Sequence, residues 1–112
     1  MDAKAREAFM IGKLTSILKV MNEHKYEKIE KLVDEVDVSE LDEIMECIDE
    51  TIDPDTIDAY DPELEVDIDE YEDTYRLEWE LMSCEREIGA YMVLDFDFTG
   101  DKPKTTLTTI DM

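Results

Sequence analysis

The chain holds little of what enzyme and metal sites are built from. It has one histidine, His24, two cysteines, Cys47 and Cys84, and three glycines, Gly12, Gly89 and Gly100. A zinc site draws its ligands from Cys, His and carboxylate. One imidazole and no C-x-x-C pair leave no plausible set. So few glycines provide no phosphate-cradling loop, and no serine stands in a nucleophile context, so no enzymatic activity and no cofactor are expected. The two thiols are expected to be free and buried, as in a cytosolic protein. Long apolar runs are missing too. Lys13 and Lys19 interrupt the stretch that begins Phe9-Met10-Ile11, and no small-residue cleavage site follows, so neither a signal peptide nor a membrane partner is expected.

The scarcest thing of all is positive charge in the middle of the chain. Leu32 to Tyr75 is 44 residues with 20 Asp or Glu and no Lys or Arg. Residues 1–31 carry five acids against seven bases and residues 76–112 eight against four, so the formal net charge of -22 is regional. Such a chain repels itself, and its stability should rise with added salt. Direct nucleic-acid binding is disfavoured, because phosphates would meet a like-charged surface. Five Tyr, three Phe, one Trp and 43% apolar residues still suffice for one modest core over 112 residues, so residues 1–112 read as a single folded domain.

Periodicity divides that domain into a helical and a strand half. Residues 2–22 present Met10, Leu14, Ile17, Leu18 and Met21 along one helical face. After a break at Asn22-Glu23-His24, a second helix is expected from Lys25 to Val36, with Tyr26, Ile29, Leu32, Val33 and Val36 inward. His24 reads as an exposed turn residue. Asp37 or Ser39 is placed to cap a third helix ending near residue 52, which buries Leu41, Ile44, Met45, Ile48 and Ile52. Its other side carries Glu43, Glu46, Asp49, Glu50 and Asp53 without a basic partner, so packing must hold it against like-charge repulsion.

Pro54 and Pro62 bracket a connector over residues 53–62. Beyond it the period becomes two. Leu64, Val66 and Ile68 alternate with Glu63, Glu65, Asp67 and Asp69; Tyr75, Leu77, Trp79 and Leu81 with Arg76, Glu78 and Glu80; and Met92, Leu94, Phe96 and Phe98 with Tyr91, Val93, Asp95 and Asp97. Thr99-Gly100-Asp101-Lys102-Pro103 is a turn by composition, and Thr105–Ile110 a closing strand. The expected class is α+β: three helices over residues 2–52, then a three- to four-stranded antiparallel sheet over residues 63–111, with the helices on one face. The Thr-rich last strand reads as a sheet edge open to pairing in a homodimer.

Two chemistries are tempting in so acidic a chain. Asp53, Asp55, Asp58 and Asp61 suggest a calcium loop, but the sixth position from Asp53 is Asp58 where glycine is needed, and the twelfth is Leu64 where glutamate is needed. Carboxylate pairs such as Asp67 with Asp69, or Asp95 with Asp97, lie about 6.6 Å apart along a strand. Acid–base work needs a pocket that separates their pKa values, and a solvated face does not supply one.

A polyanionic surface is the remaining reading. One strand row offers a charge per about 6.6 Å, against one per about 1.7 Å of duplex DNA. Several rows together approach the DNA value. In size, acidity and lack of catalytic motifs the chain resembles the phage-encoded DNA-mimic inhibitors of host defence, the anti-CRISPR and antirestriction proteins. The resemblance covers overall character and no shared motif. It implies action in the cytoplasm of a bacterial host on a basic nucleic-acid-binding protein, a CRISPR effector or a restriction enzyme. The partner-binding residues expected on this reading are Glu43, Glu46, Glu50, Asp53, Asp55, Glu63, Glu65, Asp67 and Asp69. The alternative is an immunity protein that neutralises a basic nuclease toxin: Asp95-Phe96-Asp97-Phe98-Thr99 with Thr105-Thr106-Leu107-Thr108 resembles the closing strands of small bacterial immunity-like domains. A third reading, general acidity for solubility in salt, fits poorly with seven bases in the first 31 residues.

Overall fold

Apolar spacing of three and four residues folds the first segment as a helix. In the computed structural model, which describes residues 1–112, α1 spans Ala3–Asn22 and buries Met10, Leu14, Ile17, Leu18 and Met21. Asp2 caps it, its carboxylate accepting the Ala5 N–H at 2.8 Å. That satisfies one of the amides left free at a helix start.

The second helix is far shorter than its pattern suggests. The chain makes a 3-10 turn, Tyr26–Lys28, and one helical turn, α2, Ile29–Leu32. At Val33 it turns extended, with φ -122° and ψ 158°. It continues as the short strand β1, Glu35–Val36. Val33, Val36 and Val38 are β-branched and favour extended backbone. A distant partner then completes the change: β1 runs parallel to the last strand, with the Asp34 N–H on the Thr105 carbonyl at 2.8 Å and the Asp37 N–H on that of Leu107 at 2.9 Å.

Helix α3, Leu41–Ile52, buries Leu41, Met45, Ile48 and Ile52 and packs Ile44 against the core margin. Neither Asp37 nor Ser39 caps it. The cap position is Glu40, left-handed at φ 58° with no side-chain bond, so the acids Asp42 and Glu43 in the first turn are what complement the helix dipole.

The strand half is β2 (Asp67–Tyr71), β3 (Thr74–Ser83), β4 (Arg86–Asp97) and β5 (Lys104–Asp111). The sheet order is β1-β5-β4-β3-β2. The class is therefore α+β, with four strands as an antiparallel meander. Two details differ from the expectation: the parallel β1 makes the sheet mixed, and it precedes α3, so the helices do not all come first. Strand β2 also starts late; Leu64 is 40% exposed and residues 63–66 lie outside it. Strand β5 is an open edge only in part, because the two residues of β1 pair with it at Thr106 and Leu107. The edges are β1 and β2.

The helices lie against a single face of the sheet, and 23 buried residues from both halves form one core. At one end Phe9 meets Phe96 and Phe98 edge-on, and Arg6 lies over the Phe98 ring at 5.0 Å while its guanidinium reaches Asp73 at 3.0 Å. At the other end the connector acts as a strap. The Asn22 carboxamide pairs with both backbone groups of Ile57, at 2.6 and 2.8 Å, and the Asp58 N–H donates to the Met82 carbonyl at 2.8 Å. Asp58 then accepts the Cys84 and Glu85 N–H groups at 3.1 and 2.7 Å.

Those amides belong to the two-residue turn between β3 and β4. Cys84 and Glu85 both have positive φ, 52° and 62°. This is a turn that prefers Asn-Gly, and left-handed backbone costs an L-residue with a side chain about 1–2 kcal/mol. Replacing Cys84→Asn and Glu85→Gly together should stabilise the domain by about 1 kcal/mol and raise its Tm by about 4–8 °C. A Tm that stays or falls in a thermal melt would contradict the turn assignment.

Candidate polyanionic interaction surface

Strand alternation places one set of side chains on the helices and the other on an uncovered face. Register fixes which residues share it. Asp67 lies opposite Glu78, which faces Val93; Asp69 lies opposite Arg76, which faces Asp95 and then Thr106; Tyr71, Thr74, Asp97 and Lys104 form the next row. Glu80, Tyr91 and Asp111 form the row at the other end. Cross-strand neighbours sit about 4.5–5.5 Å apart, where opposed like charges such as Asp67 and Glu78 destabilise the sheet. Arg76, opposite Asp69 and next to Glu78 on the same face, relieves part of that repulsion.

The second acidic surface is on the opposite side of the molecule. At 100° per residue, Glu43, Glu46 and Glu50 lie about 180° around α3 from its buried stripe of Leu41, Met45, Ile48 and Ile52. They point away from the sheet. Of the nine expected partner-binding residues, Asp67 and Asp69 are thus on the open sheet face, Glu43, Glu46 and Glu50 are on the helical face, and Asp53, Asp55, Glu63 and Glu65 are on the exposed connector and loop between them. All nine are exposed and none is in an ion pair. They do not make one flat patch. Glu78, Glu80 and Asp111 complete the sheet face and were missed because they lie outside the base-free run; for Glu78 and Glu80 the alternation with Leu77, Trp79 and Leu81 was the available signal.

Cations on the sheet face are held by carboxylates. The Arg76 guanidinium donates to both oxygens of Asp95, at 2.8 and 3.1 Å, and Lys104 pairs with Glu35 at 3.1 Å. Burial pushes the Asp95 carboxyl up, but hydrogen bonds from Arg76 and Thr108 and the Arg76 charge together bring it below its usual range. A depressed carboxylate stabilises the fold above its unfolded pKa of about 3.9, and that contribution is lost as pH falls through its folded value. Asp95→Asn should therefore be less stable than the parent at pH 7, with the gap closing below about pH 4 in paired thermal melts. A gap that widens in acid would contradict this.

The remaining polar clusters serve the fold. His24 is an exposed turn residue at φ 57°, with its Nδ1 3.0 Å from Asp49, which also accepts the Tyr26 hydroxyl. The two cysteines correct the expectation of burial: Cys47 lies on the outer side of α3, Cys84 in the turn, and both are exposed. A hydrogen bond to Asp55 and that carboxylate's charge push the Cys84 thiol up, which lowers its thiolate fraction. No group of three or more His, Cys, Asp or Glu side chains is arranged to hold a metal ion. No helix is long and apolar enough to cross a membrane. Set beside protein-family models, curated proteins and solved structures, the chain matches none of them.

Proposed function

We propose that this chain is a non-enzymatic inhibitor that occupies the basic nucleic-acid-binding cleft of a defence nuclease or CRISPR effector as a polyanion. Charge per unit length carries the reading. A net charge of -22 over a longest dimension of 41 Å is one negative charge per about 1.9 Å, beside about 1.7 Å for duplex DNA. Carboxylates stand on both sides of the body, on α3 and on the open sheet face, while the bases of residues 1–31 run from α1 to α2. That distribution suits a cleft or channel that encloses nucleic acid better than a flat basic surface. Association would be electrostatically steered, fast and salt-sensitive.

The test is capture on the tagged protein from a nuclease-treated bacterial lysate, with retained proteins identified by mass spectrometry as salt is raised. The expected result is a nucleic-acid enzyme that binds at low salt and leaves well before about 0.5 M, where screening shortens electrostatic reach to a few ångströms. A salt-resistant partner with no nucleic-acid role would overturn the proposal. A captured nuclease toxin would direct the same surface to immunity.

A further inference from the structure

We infer that the free edge of β2, together with the groove between β2 and α1, docks an extended segment of the partner in which basic and apolar residues alternate. The basic character of that segment rests on the polyanion reading; its extended shape rests on the edge itself. Strand β2 ends the sheet, pairing with β3 on one side only. The two-residue turn Glu72-Asp73 closes on the Tyr71–Thr74 pair. In an antiparallel ladder bonding alternates, so Tyr71, Asp69 and Asp67 bond to β3, while Ile68 and Glu70 turn their N–H and C=O groups to the open side. Those groups are the template for an added strand.

Side chains on the two faces of that edge differ in the way an alternating segment needs. On the open face an added strand would meet Asp67, Asp69 and Tyr71, which is 75% exposed. Lys or Arg fits there, with a guanidinium able to lie over the Tyr71 ring. On the inner face it would meet a groove of about 330 Å³ whose apolar walls are Met10, Val66, Ile68 and Tyr75. Glu7 and Glu70 stand in the same groove. Apolar side chains fill it beside Ile68, and a long cationic side chain can lay its stem on Met10 and bring its head to the two carboxylates. A second copy of this chain is the poorer occupant, since a symmetric β2–β2 pair centred on Asp69 sets like charges directly opposite.

The probe is an end-blocked eight-residue peptide alternating Lys and Val, compared with a block peptide of the same composition, four Lys followed by four Val. Titration by ¹⁵N NMR should show the alternating peptide binding at least tenfold more tightly, with the Ile68 and Glu70 amides shifted and protected from exchange. Two N-methylated versions, one on the lysines and one on the valines, keep charge and composition. One register should lose binding about tenfold and the other keep it, because only one set of peptide amides faces β2. In the protein, Glu70→Pro removes an outward N–H without removing a β2–β3 bond and should weaken the alternating peptide about tenfold beyond Glu70→Ala, which removes the carboxylate alone. Equal binding of alternating and block peptides, with shifts spread over both acidic faces, would overturn edge docking and leave the polyanion reading intact. Retained binding by both N-methylated peptides would overturn it as well. The polyanion reading fails by a different result, a captured partner that salt and DNA do not displace.

Discussion

Reversing charge on both acidic faces should abolish most of the binding while leaving the domain as stable as before, or more so. Two double variants separate the faces: Glu78→Lys with Glu80→Lys on the sheet, and Glu46→Lys with Glu50→Lys on α3. Each side chain is exposed and free of ion pairs, and the one native attraction lost is that between Glu78 and Arg76 beside it, which the new attractive pairs offset. Glu78→Lys replaces the repulsive cross-strand pair with Asp67 by an attractive one, worth about 0.2–1 kcal/mol; Glu46→Lys sets a cation one turn from Asp42 and gains a few tenths. An exposed charge pair across an interface is worth up to about 1 kcal/mol, and reversal turns attraction into repulsion. Each double variant should then lose about tenfold in affinity for a captured partner, and the combination about 100-fold. Loss confined to one face would replace the enclosing cleft by a flat target. Full affinity in the combined variant would remove the polyanion account.

Asn22→Ala should be among the most destabilising single changes in the chain. The carboxamide satisfies the N–H and C=O of Ile57 at 2.8 and 2.6 Å in a partly buried position. Truncation leaves both backbone groups without a partner, at about 1–3 kcal/mol each. It also frees the strap whose next residue, Asp58, binds the two strained amides of the Cys84-Glu85 turn. The expected cost is about 3 kcal/mol, a fall in Tm of about 10–20 °C. Asn22→Asp keeps the acceptor for the Ile57 N–H but sets a carboxylate oxygen against the Ile57 carbonyl, so it should also destabilise strongly. A change in Tm of only a degree or two in Asn22→Ala would show that the strap is not held at this point.

Elements whose partners are local could be read from the sequence. The stripe Met10, Leu14, Ile17, Leu18 and Met21 and the stripe Leu41, Met45, Ile48 and Ile52 are both buried as their spacing implies. Strands β3 and β4 follow their alternation, because each has a neighbour one short connection away, while β5 forms where its composition implies but shifts register opposite Val93 and Leu94. What failed depended on distant residues. Val33 to Val36 fits a helix by apolar spacing and becomes extended because Thr105 to Leu107 lies alongside. The connector looks like a loose joint by composition, yet Asn22, 35 positions before Ile57, and the β3–β4 turn hold it. How much of β5 is open could not be judged without knowing that β1 returns to pair with Thr106 and Leu107.

The acidic surface was legible as an amount and less so as a shape. Nine carboxylates picked from the base-free run are exposed, but the run crosses from α3 through the connector to β2 and so passes from one side of the molecule to the other. Sidedness comes from helix rotation and strand register together. Glu78 and Glu80 belong beside Asp67 only once β2 and β3 are known to pair.

Competition with nucleic acid tests the central claim most directly. A captured partner, purified and bound to the protein, is titrated with duplex DNA and the remaining complex is measured at about 0.05 and 0.2 M salt. The polyanion account predicts that DNA displaces the protein completely, as expected for a shared site, and that affinity falls at least about tenfold between the two salt concentrations. A ternary complex with DNA still bound, at an affinity indifferent to salt, would contradict it.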